Sequence, residues 1–370
     1  ATDGFTGDFA GNSTFDHIRI FSGLMSLDAD GINLANSSNM TFTNNEIGVA
    51  GDYCIRCSNC DFSEFTGNST SGAEYGISAD GSYYLTVENN VIENFKEHGI
   101  YFHGSPYSKV NNNRLFGSSD GGNKWAIYNE ADNGYAEVNG NFIQFEGAGS
   151  NQHGIYIRDS EVIGDSILWV GSDNSGGHGI HAYRSRIAEN YVSNSSAYGW
   201  EYHLIWSHGS TDQRGEVSQN TVYPLSNAPG IYARWTDVEG NELNGLVNSS
   251  TNYNWAITTD DYCDIINNQV VGFRYGIECA YDWDSRIVGN QIEVRRHAIY
   301  APNAQGHHVI SGNTITKYGN EGDWVIYFSN ATSVEVKDNE CEALTGGGDG
   351  FYFNNTSVEM ERNLIVTPGR

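Results

Sequence analysis

A short phrase recurs along this chain every twenty to twenty-eight residues: a small residue, an isoleucine and, in most copies, an aromatic ring. It reads Gly99-Ile100-Tyr101, Ala126-Ile127-Tyr128, Gly154-Ile155-Tyr156, Gly179-Ile180-His181, Gly230-Ile231-Tyr232, Ala298-Ile299-Tyr300 and Val325-Ile326-Tyr327. Anchoring on the central apolar residue gives fifteen copies, from Phe5, Ile32, Ile55 and Ile77 through Ile205, Ile257 and Ile277 to Phe351. A unit this short cannot enclose a core by itself, so successive copies must stack and bury a shared interior.

A second phrase, apolar-x-x-Asn-x-apolar, follows each anchor, as in Val87 to Ile92 around Asn90 and Ile287 to Ile292 around Asn290. Twelve copies carry the Asn: Asn45, Asn90, Asn113, Asn141, Asn190, Asn220, Asn241, Asn268, Asn290, Asn313, Asn339 and Asn363. Asp165 replaces it in the seventh copy, and the first and third copies, at Ile18 and Phe65, fit less well. An Asn in register tolerates the left-handed backbone of a tight bend, and its amide can bond to the copies above and below, so it marks a corner. Each copy then reads as three short strands. The expected fold is all-β: one single-stranded, right-handed parallel β-helix of about fifteen coils over residues 1–370, with three short parallel sheets and an Asn ladder at one corner.

Through the Gly-Ile-Tyr and Val-x-x-Asn-x-Ile phrases, nearly the whole chain resembles the pectate-lyase-like superfamily of right-handed β-helices, with repeats of the PbH1 type. The resemblance implies the fold more than an activity, because the same coil serves lyases, hydrolases, epimerases, tailspikes and adhesins. Gly177-His178-Gly179 is similar to the Gly-His-Gly of polygalacturonases, but His178 holds the same place in its copy as His98, Trp125, His153, His203 and His297. Periodicity, with these rings packed at a corner, explains it.

Forty-six acidic residues against nineteen basic ones give a net charge of −27. Such a surface disfavours nucleic acid and anionic membranes as partners and suits strong salt, so a halophile or its virus is the expected source. No apolar run reaches membrane-spanning length, residues 1–20 lack a secretory leader, and Ala1 reads as a mature or excised terminus. Asn-x-Ser/Thr sites at Asn12, Asn36, Asn39, Asn68, Asn194, Asn248, Asn330, Asn354 and Asn355 suit an extracellular or surface glycoprotein. Cys54, Cys57 and Cys60 lack a fourth zinc ligand. They are expected to be small buried hydrophobes or to hold a Cys54–Cys60 bridge, with Cys263, Cys279 and Cys341 in the core.

If each anchor points inward, the residues one and three places later point out. The first outward column reads Tyr101, Tyr128, Tyr156, His181, Trp206, Tyr232, Thr258, Glu278, Tyr300, Tyr327 and Tyr352; the second reads His103, Glu130, Arg158, Tyr183, His208, Arg234 and Asp260. Rings about 4.8 Å apart form a flat track for the C–H faces of sugars, or a ladder that stabilises the coil by its own stacking. Arg and His on this face of a cation-poor chain favour an acidic polysaccharide or cell-surface glycan as partner. The candidate binding residues are Tyr101, His103, Tyr128, Tyr156, Tyr183, Arg184, Trp206 and Tyr232, and the candidate catalytic residues are Arg158, His181, His208, Arg234, Glu130 and Asp260. In a lyase, an imidazole or Arg would take the proton alpha to a uronate carboxylate. Asp260 and Glu278, about 8 Å apart as diagonal neighbours, would also suit an inverting hydrolase. Asp260, Asp261, Glu278, Asp282 and Asp284 offer the oxygens that Ca²⁺ takes, though a solvated acidic surface accounts for them more simply. The resembled pectate lyases set such a calcium beside a catalytic Arg, here Arg234.

Two functions from different classes follow. One is a secreted β-helix that binds and processes an acidic polysaccharide, as a lyase or hydrolase. The other is a non-enzymatic protein that assembles end to end. The repeat runs from Phe5 to Ile365 and leaves little sequence to cover open strand edges, so a longer chain or other copies, in a filament or a trimer, would cover them. A loop such as 117–124 or 144–152 could either wall a groove on the aromatic face or bury it.

Overall fold

The computed structural model describes residues 4–9, 11–21, 30–48, 51–117, 124–130, 135–146, 152–170, 177–194, 203–224, 228–246, 254–319, 323–344 and 349–367. Loops 117–124 and 144–152 fall largely outside these. Every regular element among them is a strand, and the strands fall into three parallel sheets of 15 strands each, as expected for a right-handed parallel β-helix. Each coil gives one strand to sheet A, which carries the Ile anchors, then one to sheet B and one to sheet C. No helix among the described residues is long and apolar enough to cross a membrane. The chain divides into two compact units, Ala1–Ser185 and Arg186–Arg370.

In the first unit, Ile77, Ile100, Ile127, Ile155 and Ile180 pair in register along sheet A, and all are 0% exposed. Burial of each contributes roughly 1.5–3 kcal/mol. The small residue before the anchor has a steric cause. A Cβ on Gly99 would meet Leu115 Cδ2 at 2.6 Å and the Ala126 carbonyl oxygen at 2.7 Å. Sheet B stacks Phe15, Phe42 and Phe65 face to face, with centroid steps of 5.2 and 4.7 Å, ahead of Val87, Val110, Val138 and Val162.

The Asn ladder closes the corner between sheets B and C. Asn45, Asn68, Asn90 and Asn113 each donate from Nδ2 to Oδ1 of the next ladder Asn at 2.9–3.0 Å, and Asn141 donates to Asp165 at 2.8 Å. The second Nδ2 hydrogen goes to a backbone carbonyl, as from Asn90 to Phe65 at 2.8 Å. Each Oδ1 also accepts a backbone N–H, so the buried amide is saturated. Two expectations change here. Asn68 belongs to the ladder; its coil escaped the phrase because buried Thr70 replaces the final apolar residue. The left-handed residue is not the ladder Asn but its predecessor: Asn44, Gly67, Asn89, Asn112, Gly140 and Gly164. The amide's hydrogen-bonding capacity, not its backbone tolerance, therefore selects Asn.

A serine ladder that the sequence reading missed lines the corner between sheets A and B. Ser82 Oγ accepts the Cys60 N–H at 2.9 Å, Ser105 the Ser82 N–H at 3.2 Å and Ser185 the Ser160 N–H at 3.1 Å. The disulfide also differs from expectation, joining Cys57 to Cys60 across this corner with a Cα separation of 5.8 Å. Cys54 is buried outside the disulfide, its thiol directed at the Ile47 and Ser71 carbonyls, and Cys263, Cys279 and Cys341 are buried thiols in the second unit. Asn68 is sealed in the ladder and cannot carry a glycan; Asn12, Asn36, Asn39, Asn330, Asn354 and Asn355 are exposed, while Asn248 and the Asn194 side chain lie outside the described residues.

The second unit repeats the plan. Ile205, Ile231, Ile257, Ile277, Ile299, Ile326 and Phe351 pair in register. Its ladder runs unbroken from Asn190 through Asn220, Asn241, Asn268, Asn290, Asn313 and Asn339 to Asn363 at 2.9–3.0 Å.

Asn90→Ala strands the Asn68 N–H and amide without an acceptor in a dry corner. We expect it to lower the unfolding free energy by about 2–4 kcal/mol in urea titrations, since each orphaned buried group costs roughly 1–3 kcal/mol. Asn363→Ala, at the partly exposed last rung, should lose less.

Candidate functional site

Because sheet A alternates strictly, the residue after each anchor faces out. In the first unit Tyr101, Tyr128 and Tyr156 lie in register, with ring centroids 5.4 and 4.7 Å apart and planes within 17° and 10° of parallel. A second rank of rings from the strand starts backs them. His98 stacks on Tyr101 at 5.1 Å and on Tyr128 at 5.3 Å, and Trp125 stacks on His153 at 4.1 Å. His181 and Tyr183 then meet Tyr156 edge-on at 5.3 and 6.0 Å, and the Arg158 guanidinium lies 5.3 Å from the Tyr183 ring centre.

The rear imidazoles are structural. His98 Nδ1 accepts the Trp125 N–H at 3.2 Å, and His153 Nδ1 accepts the His178 N–H at 3.0 Å. Burial pulls the two rings down to about 4 and about 3, so both are neutral at pH 7 with the proton on Nε2. The charged candidates of this unit are paired locally. Arg184 forks onto Asp159 at 2.7 and 2.5 Å, His103 meets Asp80 at 3.2 Å, and Glu130 accepts the Tyr128 hydroxyl at 2.7 Å.

In the second unit Trp206 stacks on Tyr232 at 5.4 Å, and beside them His208, Arg234 and Asp260 occupy consecutive register positions. The Tyr232 hydroxyl donates to Asp260 at 2.7 Å, while Arg234 grips Asp261 at 2.9 and 2.8 Å. Burial first, and then the Arg234 charge, lower the His208 pKa. The ring column then breaks: after Tyr232 the register continues through Thr258 and Glu278 before rings resume at Tyr300, Tyr327 and Tyr352, spaced 5.0 and 5.1 Å. Trp255, from the rear rank, stacks on Tyr275 at 4.4 Å and reaches Tyr300 at 5.7 Å, flanking the break. Burial, and then the Asp260 charge, push the Glu278 carboxyl up to about 7.

Three of the five carboxylates read as a calcium site have separate partners. Asp261 is held by Arg234, and Asp284 accepts the His307 N–H at 2.5 Å. Asp282 is buried, accepts the Thr259 hydroxyl at 3.1 Å and that of Ser285, and is pushed up to about 6 by burial. That leaves Asp260 and Glu278 together on the open face. The interruption at Thr258 was visible in the sequence; the rear-rank rings that flank it were not, because they come from a different position in the coil.

Stacked parallel sheets, a saturated Asn ladder and a ring-lined outer face define a right-handed parallel β-helix protein. The profile of the family described as "Periplasmic copper-binding protein (NosD)" matches residues 12–214 and 213–369, and the chain belongs to that family. Among solved structures it is similar to a double mutant of the tailspike protein of E. coli bacteriophage HK620 in complex with a pentasaccharide, at 12% identity over 95% of this chain and 69% of that one, with a TM-score of 0.49. A deletion variant of that tailspike in complex with a hexasaccharide gives 12% identity, 95% and 68% coverage and a TM-score of 0.46. No curated protein sequence matches.

The family description implies copper, which takes imidazole and thiolate donors. Here the Nδ1 atoms of His98 and His153 accept backbone N–H groups, and Cys54, Cys263, Cys279 and Cys341 are buried in the core. Among the described residues no group of three or more His, Cys, Asp or Glu side chains is arranged to hold a metal ion.

A buried imidazole held at about 4 in the fold, against 6.5 when free, binds its proton more readily after unfolding. Its contribution to stability is therefore intact above pH 6.5 and lost as pH falls towards 4, on the order of 3 kcal/mol. His98→Asn, which offers Oδ1 to the Trp125 N–H, should flatten this part of the stability–pH curve, measured by urea unfolding at successive pH values.

Proposed function

We propose that the protein binds an acidic polysaccharide along the ring-lined outer face of sheet A and hydrolyses it at the break in the second unit's column. The observation that carries this reading is the break itself: where rings would continue, Thr258 leaves room and Glu278 stands beside Asp260, between Tyr232 and Tyr300. Sugar rings dock their C–H faces on Trp206, Tyr232, Tyr300 and Tyr327, and the scissile residue sits over the gap. Tyr101, Tyr128, Tyr156 and Tyr183 offer the same surface in the first unit. Arg158 and Arg234, beside the rings, place positive charge near acidic substituents.

The chemistry assigned is inverting hydrolysis. Glu278, about half protonated at neutrality where an ordinary carboxyl is fully ionised, gives its proton to the glycosidic oxygen as the bond to the anomeric carbon breaks. Asp260, oriented by the Tyr232 hydroxyl, takes a proton from the water that attacks the opposite face. Diagonal placement on adjacent strands, roughly 7–8 Å, fits the room an inverting pair leaves for that water. An extracellular or surface location belongs to the same proposal. A β-elimination reading has one observation in its favour, the neutral His208 beside Arg234.

The test is release of reducing ends from alginate, pectate and bacterial exopolysaccharides. Glu278→Gln should lower the rate by roughly a hundredfold or more and leave glycan affinity within a factor of two. Wild-type activity should fall as pH rises through about 7, because the general acid loses its proton. Products with unsaturated, ultraviolet-absorbing ends would replace hydrolysis by β-elimination. Fibres without any cleavage would favour the end-to-end structural protein.

A further inference from the structure

The corner between sheets A and B in the first unit carries a second set of rings that the column on sheet A does not include. Phe62, Tyr84 and Tyr107 stand on three successive coils, stacked with centroid steps of 5.0 and 5.1 Å and planes within 5° and 15° of parallel. They are 55%, 49% and 46% exposed, far more open than the half-buried sheet A rings, and Tyr83 beside them is 46% exposed.

Their backbone makes this placement unfavourable. All three sit in the left-handed region, with φ of 57°, 58° and 59°. Bulky side chains rarely adopt that conformation, which Asn tolerates far better. The coils before them obey the rule. Inter-coil hydrogen bonds from the N–H groups of Asn12, Asn39, Phe62 and Tyr84 show that Asn12 and Asn39 hold the same corner position, with φ of 55° and 57°. Three consecutive coils thus replace the favoured residue with an exposed ring, and such an outlier points to use rather than to folding.

The size and charge of the patch narrow the occupant. Three half-exposed rings offer at most a few hundred Å², well short of the about 800 Å² per side that a stable protein partner requires. A flat row one ring wide matches the C–H faces of a few sugar units, and Tyr84 and Tyr107 add phenol hydroxyls for sugar hydroxyls to bond. The flanking charges are Asp61 and Asp80, and the nearby basic side chains are matched by carboxylates, His103 by Asp80 and Lys109 by Glu137 at 3.0 Å. An anionic chain would be repelled here.

We infer that Phe62, Tyr84 and Tyr107 form a docking platform for an uncharged glycan, separate from the face of sheet A. The inference does not depend on cleavage at Glu278. It is tested on the full chain by affinity electrophoresis in native gels containing hydroxyethyl cellulose, laminarin, galactomannan or dextran, with the triple variant Phe62→Asn, Tyr84→Asn, Tyr107→Asn as comparison. Asn is the residue the fold already uses at this corner, so the variant should fold with an equal or higher Tm. At least one polysaccharide should retard the wild type, and the triple variant's affinity for it should be at least tenfold weaker. Tyr128→Ala, on sheet A, should leave that retardation in place, so loss of one site does not read as loss of the other. Absence of retardation by all four polymers, equal retardation of the triple variant, a lowered Tm that makes the rings structural, or wild-type dimers that the triple substitution dissociates would each overturn it.

Discussion

The amide-to-amide bond between ladder asparagines is the contact on which the rest of each unit depends. A parallel strand pair can slip by two residues without turning its side chains over, so apolar alternation alone leaves coil stacking underdetermined. The ladder removes that freedom, because a slipped coil would bury unsatisfied amide groups at every rung. With the corner pinned, Ile100 sits over Ile127, and the residue after each anchor must rise in one file. The aromatic file is therefore a consequence of the interior and not a separate invention. The chain can place chemistry on its outside by choosing one residue per coil.

That dependence explains why much of the fold could be read in advance. Isoleucine anchors and the Asn phrase repeat with a tight internal spacing, and each has a steric or hydrogen-bonding reason that survives loop insertions. What escaped reading has physical causes as well. Asn68 was obscured by Thr70, whose methyl group fills an apolar place while its hydroxyl looks polar in a pattern search. The serine ladder uses a residue too common to stand out, although Ser37, Ser82, Ser105, Ser160 and Ser185 all fall five places after their anchors. The corner rings fall seven places after theirs, as do Asn12 and Asn39, so alignment on the anchors would have shown Asn giving way to Phe and Tyr. The Cys57–Cys60 link depends on how a bend returns, which spacing alone does not specify.

Of the outer face, the columns were legible and the electrostatics were not. Arg234 and His103 stand where alternation puts them and Arg184 sits on the bend after its strand, yet each faces a carboxylate from a neighbouring coil. An acidic chain stacking its side chains about 5 Å apart would otherwise concentrate like charge, and such pairing relieves it. Glu278 is the exception that matters, since burial and the charge of another acid, Asp260, both act on it. Trp255 and Tyr300, on coils to either side, meet at 5.7 Å, and only three-dimensional placement brings them together.

The variable distance between anchors carries a further consequence. Coils of twenty residues and of twenty-eight present the same strands to their neighbours, so surplus length is expelled at the bends and never enters the stack. Each winding is in effect a cassette whose inner half is standardised and whose outer half is free to diverge. Exchange of one winding for another from the same chain would move a Glu or a Thr along the face while leaving the interior seamless, and recombination between windings could redraw ligand preference without a new fold.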